Sequence, residues 1–194
     1  MHHKYHTEAV VLAARAHGEG DRVLTLYTKD LGLLPAYAKS LRTERSKLRY
    51  GLQLFAHAHV DLLEGRSGWR ITSAQPITSH TDVWRHKAKR EIVAQYMRLL
   101  TRFIQGEEEH AALFSDLLSA LIYLGSLEEG DDLRMAELLM IVRALELLGY
   151  WGDKEKWDLL FSTTAWSVDT LSYVKAHKRE LLALVNDAIR TSQL

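Results

Sequence analysis

The chain of 194 residues contains no cysteine. That excludes a disulfide framework, a thiolate metal site and a thiol nucleophile. Proline is nearly missing too, with two residues, and there are only eleven glycines, which argues against long disordered stretches. No apolar run approaches the ~20 residues of a membrane span, and the start "MHHKYHTEAV" has no apolar signal core, so a cytoplasmic protein without a membrane partner is expected. Neither a Gly-rich phosphate loop, nor a nucleophile elbow, nor an HExxH pair occurs, and the expectation is a protein that is not an enzyme.

Net charge is absent as well, with 25 Lys/Arg against 25 Asp/Glu, but the balance is uneven along the chain. Residues 1–90 hold fifteen cations and eight acids; residues 91–194 hold ten and seventeen. Eight of the ten histidines also lie in the first part. Such a split points to two regions with different partners, the basic one suited to a polyanion.

What is present divides by period. In the first part "TEAVVLAARA", "DRVLTLYTKD", "LGLLPAYAK", "LQLFAHAHVDLL" and "WRITSAQPI" read as five strands. In the fourth run Leu52, Leu54, Ala56, Ala58, Val60 and Leu62 share one face by strict period two. Five short strands with turns between them suggest a small antiparallel barrel or sandwich; five is the strand count of an OB-fold, and SH3-like barrels give similar patterns. After Pro76 the period becomes helical. "TDVWRHKAKREIVAQYMRLLTRFIQ" starts with Thr81 or Asp82 as N-cap, and further helices follow at 110–125, 131–149, 153–162 and 167–194. The expected fold class is α+β, with a β domain over 1–79 and an all-helical domain over 80–194.

The densest chemical feature is "AKSLRTERSKLRY" at 38–50, where Lys39, Arg42, Arg45, Lys47 and Arg49 surround one acid, Glu44. Between strands this is a loop or short helix, and cations mixed with Ser40, Thr43 and Ser46 form the residue set that contacts phosphates. Tyr37 and Tyr50 flank it with faces on which bases can stack. A second cluster, Arg85, Lys87, Lys89 and Arg90, opens the first helix. Cations there oppose the helix dipole by a few tenths of a kcal/mol, which makes a functional role for them more attractive. His57 and His59, two apart on a strand, could be metal ligands; a third would be needed, and spacing selects none among His2, His3, His6, His80 and His86, so two partly exposed histidines on an outer face is the simpler expectation. Asp131 and Asp132 suit a helix start, and Glu19 and Asp21 a loop before a strand.

Residues 7–77 resemble the N-terminal domain of the bacterial recombination-repair RecO family. The resemblance rests on Glu19 and Asp21 (an E-x-D pair), Thr28 and Gly32 (a T-x-x-x-G turn), Ala38-Lys39 with Arg42, Ser46-Lys47, and Leu52-Gln53 with Phe55. "ALELLGY" at 144–150 is similar to the family's helical segment. Ser40 stands where the family usually has glycine, and Leu54 where it often has proline. Many members carry a four-cysteine zinc motif in the helical domain; this chain has none, so no zinc-dependent property is carried over.

The resemblance implies an N-terminal OB-fold, a C-terminal helical domain, no cofactor and a nucleoid-associated location. It implies binding of single- and double-stranded DNA, annealing of complementary strands, and work with RecR and the C-terminal tail of single-stranded-DNA-binding protein to load RecA. The residues expected to meet DNA are Lys39, Arg42, Arg45, Lys47, Arg49, Arg85, Lys87, Lys89 and Arg90. Two rival readings are a non-catalytic adaptor whose basic loop binds an acidic protein, and a histidine-metal hydrolase built on His57 and His59.

Overall fold

A computed structural model describes residues 3–41, 43, 46–78, 80, 83, 85–104, 107–152, 154–162 and 165–192. Five strands form first: β1 (Lys4–His17), β2 (Asp21–Thr28), β3 (Gly32–Ala38), β4 (His57–Gly65) and β5 (Gly68–Thr78). They close into a barrel in the order β1-β2-β3-β5-β4. An odd number of strands cannot close with every neighbour antiparallel, and β3 and β5 accordingly pair in parallel. In a closed barrel every strand serves two partners. β1 does so by length: Lys4–Val10 pairs with β4 and Ala9–His17 with β2, the strand bending at an irregularity between Val11 and Ala13. This is the strand order of an OB-fold.

The core follows the alternation read in the sequence. Leu24 and Leu26, Leu34, Ala36 and Ala38, Ala58, Val60 and Leu62, and Trp69 and Ile71 are all buried in one cluster. The fourth run departs from expectation. Regular strand starts only at His57, because Gln53–Ala56 is a turn in which Phe55 adopts φ +63° and donates its N–H to the Val11 carbonyl at 2.7 Å. Leu41 and Leu52 still reach the barrel core, so the β3–β4 connection folds its apolar residues inward around a 3-10 turn at Lys47–Arg49.

Contacts divide the chain into two compact units, Met1–His80 with Ile104–Ala111, and Thr81–Phe103 with Ala112–Leu194. Within the first unit, Glu107 and His110 lie against the barrel: the Trp69 indole N–H donates to Glu107 Oε1 at 2.9 Å, and the Tyr27 hydroxyl donates to the His110 carbonyl at 3.2 Å. At the β2–β3 turn the Thr28 hydroxyl donates to the Gly32 carbonyl at 2.9 Å and accepts from the Leu31 N–H at 3.0 Å, which explains the T-x-x-x-G spacing.

The second unit is helical: α1 (Lys87–Phe103), α2 (Ala111–Ser126), α3 (Asp131–Leu147), the short α4 (Asp158–Phe161), α5 (Val168–Ala176) and α6 (Lys178–Thr191). The expected caps Thr81 and Asp82 lie outside the described residues. Gly130, not Asp131 or Asp132, caps α3, and the two acids occupy its first turn. The single run expected over 167–194 is two helices joined at His177, the first capped by the Ser167 hydroxyl accepting from the Thr170 N–H. A buried guanidinium organises this unit. Arg143 donates to Asp116 at 3.1 Å and to the Leu160 carbonyl at 3.0 Å, and lies 4.9 Å from the Trp166 ring centroid. Among the described residues no helix is long and apolar enough to cross a membrane.

Gly32 combines φ +64° with a backbone neighbour where a Cβ would stand 2.3 Å from the Glu108 carbonyl oxygen. Gly32→Ala should therefore lower stability by about 2–4 kcal/mol in urea unfolding, from left-handed strain plus overpacking. His80, just beyond β5, is 8% exposed, and its burial depresses the imidazole pKa to about 4; burial also lowers that of His57. The native state thus binds fewer protons than the unfolded chain between about pH 7 and 4. Stability should fall as pH drops through that window, by about 3 kcal/mol for His80 alone, and His80→Gln should flatten the urea-midpoint profile.

Candidate nucleic-acid interface

The barrel brings together residues that are far apart in sequence. Arg15 and His17 end β1, Val23 lies on β2, Pro35 and Tyr37 on β3, and Arg66 and Arg70 come from the β4–β5 hairpin. Together they line a cleft of about 750 Å³. Parity explains the grouping, because residues alternating with the inward Leu24 and Ala36 must face outward. The β4–β5 hairpin turns over two residues, Arg66 and Ser67, with Gly68 at φ +96°, so Arg66 stands at the tip. The β1–β2 turn uses Gly18 at φ +63° and returns the chain with His17 opposite Asp21.

Arg15, Arg66 and Arg70 are exposed, and Glu64 is the single acid among the cleft's described lining. The His17 ring meets Tyr37 edge-on with centroids 5.5 Å apart, leaving a polar aromatic pair at the floor. Three guanidinium groups beside aromatic faces can neutralise phosphates while offering bases a stacking surface.

One carboxylate links this cleft to the basic β3–β4 connection. Asp21 accepts the Tyr37 hydroxyl on one oxygen and the Ser40 N–H on the other, the latter at 2.6 Å. The Ser40 N–H, then the Tyr37 hydroxyl, hold the Asp21 carboxyl below its usual range, with Lys39 and His17 adding positive potential. The same hydrogen bond pushes the Tyr37 phenol up. Ser40 itself adopts φ +53°, the left-handed conformation that glycine takes without strain. A glycine at this position thus has a physical reason, and here the Asp21 bond holds a serine in its place.

The predicted cations are not equivalent in the structure. Lys39, Lys47 and Arg49 are exposed around the connection, while Arg42 and Arg45 lie outside the described residues. Arg85 and Lys87 are exposed and Arg90 is half-buried; Lys87 pairs with Glu91 at 3.7 Å. Lys89 has to be withdrawn from the set. It is 3% exposed, and its ammonium donates to the Gly125 carbonyl at 2.7 Å, meeting the negative end of α2. Helical periodicity turns it inward where its neighbours point to solvent.

The histidine reading is corrected too. His57 is 6% exposed and its Nε2 lies 2.9 Å from Glu8, so it is no outward surface histidine. Nearby, His6 and Lys4 both engage Asp61, at 2.5 and 2.9 Å. Among the described residues no cluster of three potential ligands is arranged to hold a metal ion.

Arg15, Arg66 and Arg70 were missed because no two of them belong to one charge cluster in the sequence. The usable signal was the OB-like strand pattern: Arg15 and Arg66 stand at the two hairpins that flank the binding face of that barrel.

Ser40→Gly should stabilise the protein by about 0.5 kcal/mol, since relief of left-handed strain slightly exceeds the added entropy of the unfolded glycine chain. A shifted urea midpoint at unchanged m-value is the expected readout.

Comparison with known proteins places this geometry in a family. A family model described as "Recombination protein O N terminal" matches residues 1–80. The DNA repair protein RecO of Dehalococcoides mccartyi is 35% identical over 152 residues, covering 76% of this chain and 57% of that protein. The corresponding protein of Heliobacterium modesticaldum is 36% identical over 150 residues, covering 75% and 52%, and that of Desulfitobacterium hafniense 30% over 148, covering 76% and 52%. The chain spans a little over half the length of these relatives. With the barrel order, the Thr28–Gly32 turn and the Asp21-anchored loop in place, the chain belongs to the RecO family of DNA repair proteins.

Proposed function

We propose that the chain binds DNA without enzymatic turnover, acting as a recombination mediator. The observation that carries this reading is the cleft: three exposed arginines and the His17–Tyr37 pair, set between the two hairpins of an OB-type barrel. That face and those loops are where OB-folds hold oligonucleotides. Arg15, Arg66 and Arg70 neutralise the backbone of a single strand, and the aromatic floor supports its bases. Lys39, Lys47 and Arg49, with Arg42 and Arg45 beside them in the sequence, extend positive potential along the β3–β4 connection. Arg85, Lys87 and Arg90, in the second unit, are a separate set of proposed phosphate contacts. None of these groups reads base identity, which suits repair at arbitrary sequences.

Annealing follows when two strands are held with their mutual repulsion screened and their base edges free. The acidic part of the chain, with ten cations against seventeen acids after residue 90, is left for protein contacts. In line with the family, the proposed partners are RecR and the C-terminal tail of single-stranded-DNA-binding protein, and the proposed outcome is loading of RecA onto coated DNA.

The test is fluorescence anisotropy with a short oligothymidine across a salt series. Charge reversal at Arg15, Arg66 and Arg70 together should cost more than about tenfold in affinity and lower the slope of log K against log salt by about 2. Lys89→Met should leave both unchanged, because that ammonium is already bonded to Gly125. Wild-type affinity in the triple variant would remove the cleft from the site.

A further inference from the structure

A second recess lies at the mouth of the barrel, about 580 Å³ in volume, and its polar lining is Arg22, Arg49 and Gln53. Arg22 has the inward parity of Leu24 and Leu26, lines the recess and is half-buried. Its Nε is buried and, among the described residues, has no hydrogen-bond partner. A buried guanidinium N–H without an acceptor is rare, because leaving it unsatisfied incurs its full desolvation penalty. Arg49 approaches the same recess from the 3-10 turn and is exposed, while Leu41 and Leu52 form an apolar wall whose other side is the barrel core. Among the described residues no acid lines it.

We propose that this mouth is a site for the terminal phosphate monoester of a DNA strand, an inference that rests on the DNA-binding reading above. The match is one of charge and access. A phosphate monoester carries nearly two negative charges at neutral pH and three acceptor oxygens, which suits two guanidinium groups and one side-chain amide. An internal phosphodiester carries one charge and is flanked by sugars on both sides. It cannot bring an oxygen down to the recessed Nε as a chain end can.

The experiment compares one short oligothymidine in three forms, with a 5′-phosphate, with a 3′-phosphate and with hydroxyls at both ends, by anisotropy at low salt. One phosphorylated form should bind about tenfold more tightly than the hydroxyl-ended form. Arg22→Gln should bring that ratio close to one while hydroxyl-ended binding stays as in wild type. Arg70→Gln should weaken all three forms alike and keep the ratio. Should Arg22→Gln fail to fold, Arg22→Lys retains the charge but has no Nε–H, and should also lose most of the preference. Equal wild-type affinity for all three forms overturns the terminal-phosphate site and leaves DNA binding standing. An Arg22→Gln loss that is the same with and without the phosphate overturns it too, making Arg22 an ordinary backbone contact. Binding of none of the three forms overturns both readings.

Discussion

The Asp21 carboxylate is the constraint on which the basic face depends. From a residue whose backbone pairs with His17 at the end of the β1–β2 hairpin, it accepts the Tyr37 hydroxyl of the adjacent strand and the N–H of a residue in left-handed conformation at the start of the β3–β4 connection. Each of these bonds favours the ionised carboxyl, so the anchor carries its charge across the neutral range. One acid inside a surrounding of cations therefore acts as a fixed strut that orients positive groups on both sides of it, instead of cancelling them.

Barrel closure supplies the rest of the positioning. With five strands a parallel pair is unavoidable, the strand order places it at β3–β5, and that seam sets Tyr37 beside Arg70. The two-residue hairpin turn then carries Arg66 to the same edge. Inside, small and large residues alternate, with Ala36, Ala38 and Ala58 against Leu24, Leu62 and Trp69, so the barrel is filled and its chemistry is confined to the outer face and the mouths. Glu107 and Glu108 belong to this packing, since Gly32 leaves room for Glu108 and Trp69 is bonded to Glu107.

The strand-to-helix transition, the inward face of β4 and the stops at Gly65–Gly68 and Gly149 could be read directly, because they rest on local periodicity and backbone freedom. Three readings failed for reasons that are not local. The apolar alternation from Leu52 continues through a turn, because connection residues that fold into the core show the same pattern as a strand. His57 is buried by neighbours from β1, and Lys89 by the end of another helix. Charge counting found the connection at 38–50 and overlooked Arg15, Arg66 and Arg70, which gather only when hairpins distant in sequence meet.

By itself, the sequence determined that a β region precedes a helical one, that thiol chemistry is absent, and that positive charge is concentrated before residue 91. These are properties of composition and of spacing within a single element. Only the tertiary structure decided which cations face solvent, which one is tied to a helix end, and which arginine has a buried Nε without a partner among the described residues. The physical reason is that the environment of a charge is set by elements brought together from distant parts of the chain. Ser40 shows both sides of the division. The residue type and its unusual place were visible in the sequence, but the left-handed backbone and the carboxylate that stabilises it exist only once β2 and β3 are paired.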